Sequence, residues 1–166
     1  MPTTPTIREG RESDLPAIMA IYNDAVANTT AIWNDALVDL PDRERWFQTR
    51  TGGGFPVLVA EREGAVAGYA SYGPFRPFDG YRFTAELSVY VDGRFRGEGI
   101  GNGLLQALMA AARARGVHVL VAGIEASNTA SLNLHKRNGF VEVGRMPEVG
   151  FKFGRWLDLV LLQSVL

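Results

Sequence analysis

The stretch Val89-Tyr90-Val91-Asp92-Gly93-Arg94-Phe95-Arg96-Gly97-Glu98-Gly99-Ile100-Gly101-Asn102 constrains the chain more than any other. An apolar strand pattern ends, a turn with Gly97, Gly99 and Gly101 follows, and a long helix pattern begins. Glycines let the backbone approach an anion closely, and successive free N–H groups can aim at its oxygens. The helix behind the turn adds unsatisfied donors and the positive end of its dipole, worth ~0.3–1 kcal/mol. Taken alone, the turn fits a tight connection that binds nothing equally well. Two other phosphate motifs do not fit. A P-loop needs Gly-Lys-Ser/Thr where Gly101-Asn102-Gly103 stands. A dinucleotide fingerprint needs a leading βαβ unit with an acidic residue after its second strand, and this turn lies behind a hairpin, past the middle of the chain.

The pattern around the turn predicts eleven elements. Thr6 to Glu9 reads as a short strand. A helix capped by Ser13 or Asp14, with Pro16 in its first turn, runs to about Asn28. A second helix covers Asp42 to Thr51, capped by Asp42 and stopped by Gly52-Gly53-Gly54. Pro56 to Glu61 and Ala65 to Tyr72 form a hairpin across Arg62-Glu63-Gly64, followed by a loop from Gly73 to Tyr81. Thr84 to Val91 is a strand and Gly99 to Arg115 the clearest helix, with Ile100, Leu104, Leu105, Leu108 and Ala112 on one stripe. Val117 to Ile124 is apolar throughout, as in a strand buried on both faces. A short helix from Asn128 to Asn138 and strands Phe140 to Met146 and Trp156 to Val165 complete a β-α-α-β-β-β-α-β-α-β-β order. This is an α/β (α+β) chain with a mixed sheet and packed helices, in one domain over residues 1–166.

Composition narrows the chemistry. Seventeen basic and 18 acidic residues leave a net charge of −1, so nothing favours nucleic acid or an anionic membrane. The absence of cysteine excludes disulfides, thiolate metal sites and a cysteine nucleophile. With His118 and His135 the only histidines, no metal site is expected. The opening MPTTPTIREG lacks the apolar core of a signal peptide, and no apolar run approaches the roughly 20 residues that span a bilayer. The expected location is the cytoplasm.

Arg96-x-x-Gly99-x-Gly101 resembles the acetyl-CoA pyrophosphate signature of the GCN5-related N-acetyltransferases (GNAT), and the preceding Leu87-x-Val89-x-Val91 strand matches as well. Asn128-Thr129-Ala130-Ser131-Leu132-Asn133-Leu134-His135-Lys136-Arg137-Asn138-Gly139-Phe140 is similar to a later signature of that family. More narrowly, Tyr22 to Val26, Thr29 to Trp33 and Gly150 to Asp158 resemble the phosphinothricin and methionine sulfoximine acetyltransferase branch. The resemblance covers the whole chain. It implies a mostly antiparallel, twisted mixed sheet, splayed at strands 4 and 5 and flanked by helices. It also implies an acetyl-CoA-dependent N-acetyltransferase acting on the α-amino group of a small amino-acid analogue such as L-methionine sulfoximine, methionine sulfone or phosphinothricin, in a detoxification or resistance role. A homodimer is implied too, and the apolar strand Leu157 to Leu166 is expected to be exposed.

The same resemblance assigns roles. Val89, Tyr90 and Val91 would pair with the pantetheine arm like an added strand. Arg96, Gly97, Glu98, Gly99, Ile100, Gly101 and Asn102 would anchor the pyrophosphate, with Asn128 and Ser131 across the splay. Glu86 is the candidate base, acting through a water; a solvated strand carboxylate, or one paired with Arg76 or Arg82, is the alternative. Arg76 can form a bidentate pair with a carboxylate. Pro77, Phe78, Trp33, Leu87 and Ser88 would complete the acceptor pocket. His135 stands near the place where many family members carry a tyrosine acid, and its pattern reads as a helix-surface histidine.

Two other functions fit the same fold or cofactor. One is acetylation of protein N-termini or polyamines, although Gly73 to Phe83 has only Asp79 against Arg76 and Arg82. The other is a non-catalytic acetyl-CoA sensor.

Overall fold

The computed structural model describes residues 4–166; Met1 to Thr3, the start of the segment read for a leader, lie outside it. The strands are β1 (Thr6–Glu9), β2 (Val57–Arg62), β3 (Ala65–Pro74), β4 (Thr84–Val91), β5 (Val119–Glu125), β6 (Val141–Lys152) and β7 (Arg155–Val165). The helices are α1 (Leu15–Asn28), α2 (Leu40–Gly52), α3 (Ile100–Ala114) and α4 (Thr129–Arg137). The strands form one seven-stranded sheet in the order β1-β2-β3-β4-β5-β7-β6. Every pairing is antiparallel except β4 with β5. The element order is the one that the periodicity predicts.

Each face of the sheet buries its own helices. Ile100, Leu104, Leu105 and Leu108 of α3 pack on Ala70, Tyr72, Leu87 and Leu120. Leu15, Ile18 and Ile21 of α1, with Trp46 and Phe47 of α2, pack on Val57, Val59 and Tyr69 of the opposite face. Because strand side chains alternate, Tyr69, Ser71 and Gly73 face α1 and α2 along β3. Their cross-strand partners Tyr90, Ser88 and Glu86 do the same along β4.

Several boundaries differ from expectation. The cap of α2 is Asp39, which accepts from the Asp42 N–H, while Pro41 occupies the first turn. Asp14 makes no side-chain cap for α1; its carboxylate accepts from the Arg11 N–H and pairs with Arg8. β3 runs on to Pro74, pairing with Ala85, and the predicted loop begins only there. β6 continues to Lys152 through two register irregularities, and a two-residue turn at Phe153 and Gly154 carries it into β7. Both turn residues have positive φ, the geometry that matches the natural twist of a hairpin.

The exposed apolar strand is also a different one. β7 lies between β5 and β6, and its Leu157, Val160 and Leu162 are buried. Of this hairpin's exposed apolar side chains, most lie on the edge strand β6, among them Val141, Val143, Met146 and Phe151, while β7 exposes Trp156 and Val165 at its ends.

Lys152, only 2% exposed, ties this hairpin to α1. Its Nζ donates to the carbonyls of Val26, Thr29 and Ile32 at 2.6–2.7 Å. Burial pulls its pKa down, but three converging acceptors need all three N–H bonds of the ammonium, so the charge is retained. One of the three carbonyls belongs to the last turn of α1, where no intrahelical donor remains. Lys152→Met is expected to strand these acceptors and lower stability by about 3 kcal/mol, measured as a reduced urea midpoint.

Candidate active site

β4 and β5 pair over three residues only: Thr84 with Val119, Ala85 with Leu120 and Glu86 with Val121. Beyond that the strands part. Leu87 to Val91 on one side and Ala122 to Glu125 on the other face each other across a gap, and the backbone groups that would have closed the ladder are left for another partner. Two cavities fill the fork. The smaller, about 180 Å³, is bordered by Glu86, Ser88, Gly123, Glu125, Asn128 and His135. The larger, about 720 Å³, extends from Val89, Tyr90 and Val91 to the glycine turn on one side and α4 on the other.

The turn has the expected geometry. Gly97 and Gly99 have φ of 78° and 80°, a region that an L side chain would strain, and Gly99 is the residue from which α3 starts. The N–H groups of Ile100, Gly101 and Asn102 therefore have no intrahelical acceptor. Arg96, Gly97, Gly99, Ile100, Gly101 and Asn102 all border the larger cavity, as do Asn128 and Ser131 across it. Asn128 also caps α4, its Oδ1 accepting from the Ser131 N–H at 3.2 Å. Asn102 accepts from Asn138 at 2.9 Å, which locks the start of α3 to the end of α4. Glu98 does not border either cavity; its carboxylate pairs with Arg62 of β2.

A model of the acetyltransferase (GNAT) family matches residues 18–140, a span that includes both sides of the fork. The chain belongs to this family. The L-methionine sulfoximine/L-methionine sulfone acetyltransferase of Pseudomonas aeruginosa is 58% identical over 159 residues, 95% of this chain and 92% of that protein. A structure from Brucella melitensis, described as a ribosomal-protein-alanine N-acetyltransferase, superposes with a TM-score of 0.96 at 61% identity, covering 97% of this chain and 99% of that one. A GNAT phosphinothricin acetyltransferase from Sinorhizobium meliloti, solved with acetyl-CoA, also superposes at 0.96, with 38% identity over 99% of this chain and 89% of that one. As a GNAT acetyltransferase, the chain carries the fork that its fold places between strands 4 and 5.

Not every expected acceptor residue reaches this GNAT fork. Arg76 stacks on Phe75 at 4.3 Å and donates to the Phe75 carbonyl, out on the exposed loop. Phe78 is 70% exposed, and neither it, Pro77 nor Arg76 borders a cavity. Trp33 is turned onto β6, its ring filling the space above Gly150, where a Cβ would meet it at 2.5 Å. Its indole N–H donates to the Thr30 carbonyl at 2.9 Å. Trp33 thus fastens the loop whose neighbours Thr30 and Ala31 border the larger cavity. Leu87 borders the smaller cavity, while its side chain is buried in the core on the α3 side. Tyr90 packs against Tyr69 with centroids 5.3 Å apart, and burial pushes its phenol pKa up, with a hydrogen bond from the neighbouring Ser88 opposing.

His135 is a correction: it is 3% exposed, not on the helix surface. Its Nδ1 lies 2.8 Å from the Ser131 carbonyl, so the ring proton sits on Nδ1. Nε2 is then a lone-pair acceptor, buried without a partner among the described residues. Burial lowers the imidazole pKa, only partly opposed by the Ser131 bond. A neutral ring of this tautomer accepts at Nε2 and has no proton there to give. The three-residue spacing from buried Leu132 was the sequence signal that placed His135 inward.

Two further residues of the fork carry no motif signal. Glu125, one residue beyond the expected end of β5, is buried and accepts from Ser127 and, at 3.2 Å, from Thr30 Oγ1. It joins the Thr30 loop to the far side of the fork. Arg137, in the last turn of α4, borders the larger cavity opposite Arg96 and adds a second cation there.

Among the described residues no helix is long and apolar enough to cross a membrane, and no cluster of three metal-ligating side chains occurs. The buried histidine sets a pH dependence. Its folded pKa lies below the unfolded value of about 6.5, so the unfolded state takes up a proton first as pH falls. Its contribution is intact above pH 6.5 and is lost as pH drops through the folded pKa. Urea titrations at pH 7.5 and 5.5 should show a smaller loss of stability on acidification in His135→Gln than in the parent.

Proposed function

We propose that this protein transfers the acetyl group of acetyl-CoA to the α-amino group of a small amino-acid analogue of the L-methionine sulfoximine, methionine sulfone or phosphinothricin type. The single observation that carries this reading is Glu86 at the last paired position before the strands part. A carboxylate there stands beside the gap into which a thioester can enter, on the face covered by α1 and α2.

In this reading the cofactor lies in the larger cavity. Val89, Tyr90 and Val91 pair with the pantetheine arm through their backbone, while the Arg96 to Asn102 turn, including Glu98 by its main chain, holds the pyrophosphate. Asn128 and Ser131 close the other side, and Arg137 adds charge near the phosphates. Glu86 takes a proton from the acceptor ammonium through a water. The freed amine nitrogen attacks the thioester carbonyl carbon, the C–S bond breaks, and the thiolate leaves with the electron pair. The nitrogen gives up its remaining extra proton through water to the sulfur, so that an amide and a free thiol result. Developing charge on the carbonyl oxygen is met by a β4 backbone N–H in the fork. Ser88 lies next to the reacting atoms, Leu87 contributes only its backbone beside them, Trp33 acts by holding the Thr30–Ala31 loop, and Arg76, Pro77 and Phe78 stand on the outer loop.

The role is detoxification or resistance in the cytoplasm, carried by one N-acetyltransferase domain over residues 1–166 acting as a homodimer. The exposed apolar row on β6 supports a second copy as its partner.

A second reading, acetylation of a protein N-terminus, is favoured by the 61% identity to the Brucella melitensis structure. Thiol release from acetyl-CoA separates the two. Methionine sulfone and methionine sulfoximine should be acetylated, and a short peptide beginning with alanine should not; the reverse outcome selects the second reading. Glu86→Gln should cut turnover by at least about 100-fold while acetyl-CoA affinity, measured by calorimetry, stays within about twofold. Retained turnover would place the base elsewhere.

A further inference from the structure

We infer that Arg62, the last residue of β2, is a positioning residue for acetyl-CoA: it grips Glu98 and so holds the glycine turn in the shape that receives the pyrophosphate. The inference rests on the placement of the pyrophosphate on that turn given above.

Glu98 stands where a carboxylate is least expected. It lies between Gly97 and Gly99, in a turn whose free N–H groups and following helix favour an anion. An unpaired carboxylate there would repel a diphosphate. Its side chain instead pairs with the Arg62 guanidinium and borders neither cavity. That guanidinium is enclosed, the Arg62 side chain being only 10% exposed. Its other carboxylate neighbour, Glu63 on the hairpin turn, is 3.9 Å away. Arg62 Nε is buried without a partner among the described residues, so the head group is held chiefly by Glu98.

Little else holds the turn. Before it, the Asp92 N–H donates to the Ala67 carbonyl at 2.8 Å, and after it Asn102 is bonded to Asn138. Between these anchors, the N–H groups of Gly97, Glu98 and Gly99 donate to no other main-chain group. Among the described residues, no second ion pair or side-chain hydrogen bond reaches residues 96–99. Gly97 and Gly99 lose more conformational freedom on ordering than other residues would.

Arg62, by contrast, is fixed by its strand. It pairs with Ala65 across a two-residue turn, next to Glu61 paired with Val66. The ion pair thus ties a glycine-rich segment to the end of a hairpin. The donors that the pyrophosphate needs are aligned before the cofactor arrives, which lowers the entropy that its binding must remove. Glu98 is also neutralised, so the turn keeps its preference for an anion.

Charge and clamp predict opposite signs for one substitution at this half-exposed position. Glu98→Gln removes a negative charge beside a diphosphate, so electrostatics alone would tighten the binding of acetyl-CoA. Loss of the clamp should instead raise its calorimetric Kd about 5- to 30-fold, the cost of fixing one further residue. Glu98→Arg should weaken binding as well, although it adds a cation, because Arg62 repels it. Exchanging the pair, Glu98→Arg with Arg62→Glu, should recover most of that loss. Arg62→Gln should raise the KM for acetyl-CoA over the same range while kcat and the acceptor KM stay within about twofold. A loss of folded protein would lower kcat instead. An unchanged or lower Kd in Glu98→Gln, no recovery in the exchanged pair, or a loss carried by kcat in Arg62→Gln would overturn the inference. Arg96→Ala separates the clamp from the placement of the cofactor. Weaker binding there with an unchanged Kd in Glu98→Gln overturns the clamp alone. An unchanged Kd in Arg96→Ala overturns the placement on the turn, and the inference with it.

Discussion

A parallel pair of strands in the middle of a sheet ordinarily stays paired, because each unpaired backbone group buried away from water costs about as much as a lost hydrogen bond. Here the ladder between β4 and β5 stops after Glu86 and Val121, and most of what is distinctive in the molecule follows from that break. The fork is held open from outside. β4 remains paired with β3 from Ala85 to Val91, and β5 remains paired with β7. Neither strand can close the gap without breaking its other ladder. The open edges are therefore a standing set of donors and acceptors for an extended guest, and the glycine turn at the end of β4 continues that set into the start of α3.

The wall opposite the glycine turn is built with comparable care. The loop after α1 lacks regular structure, yet it is held by Lys152 from the β6–β7 hairpin, by the Trp33 ring on Gly150, and by Thr30 bonded to Glu125. Two distant parts of the chain, the β6–β7 hairpin and the end of β5, thus fix one segment that borders both cavities. Rigidity of this kind reduces the entropy that a bound acceptor would otherwise have to remove.

Much of the fold could be read from the sequence because local pattern and tertiary context agree there. The stripe from Ile100 to Ala112 and the apolar run of β5 are examples, and the glycine turn was legible because only glycine suits φ near 80° at positions 97 and 99. Elsewhere the two disagree. Pro147, Glu148 and the bulges of β6 interrupt the alternation that marks a strand, so its second half and the Phe153-Gly154 turn were hidden. Apolar β7 was expected to be exposed because the sequence does not state strand order. At the site, residues on β4, the turn and α4 were placed by motif spacing. Lys152 carries no such signal: it works by contacts with the end of α1 and the loop behind it, more than 100 residues away in sequence. Trp33 was placed in the right loop but with the wrong orientation, since nothing local points an indole at a glycine 117 positions later.

Amide hydrogen exchange along β4 tests the fork as the seat of acetyl transfer most directly. In the free protein, amides among residues 87–91 that face β5 should exchange far faster than those of residues 84–86, which remain in the parallel pairing. Saturating acetyl-CoA should protect these β4 amides together with those of Ile100, Gly101 and Asn102. Protection of neither group at saturation, or protection confined to a different part of the molecule, would contradict the account.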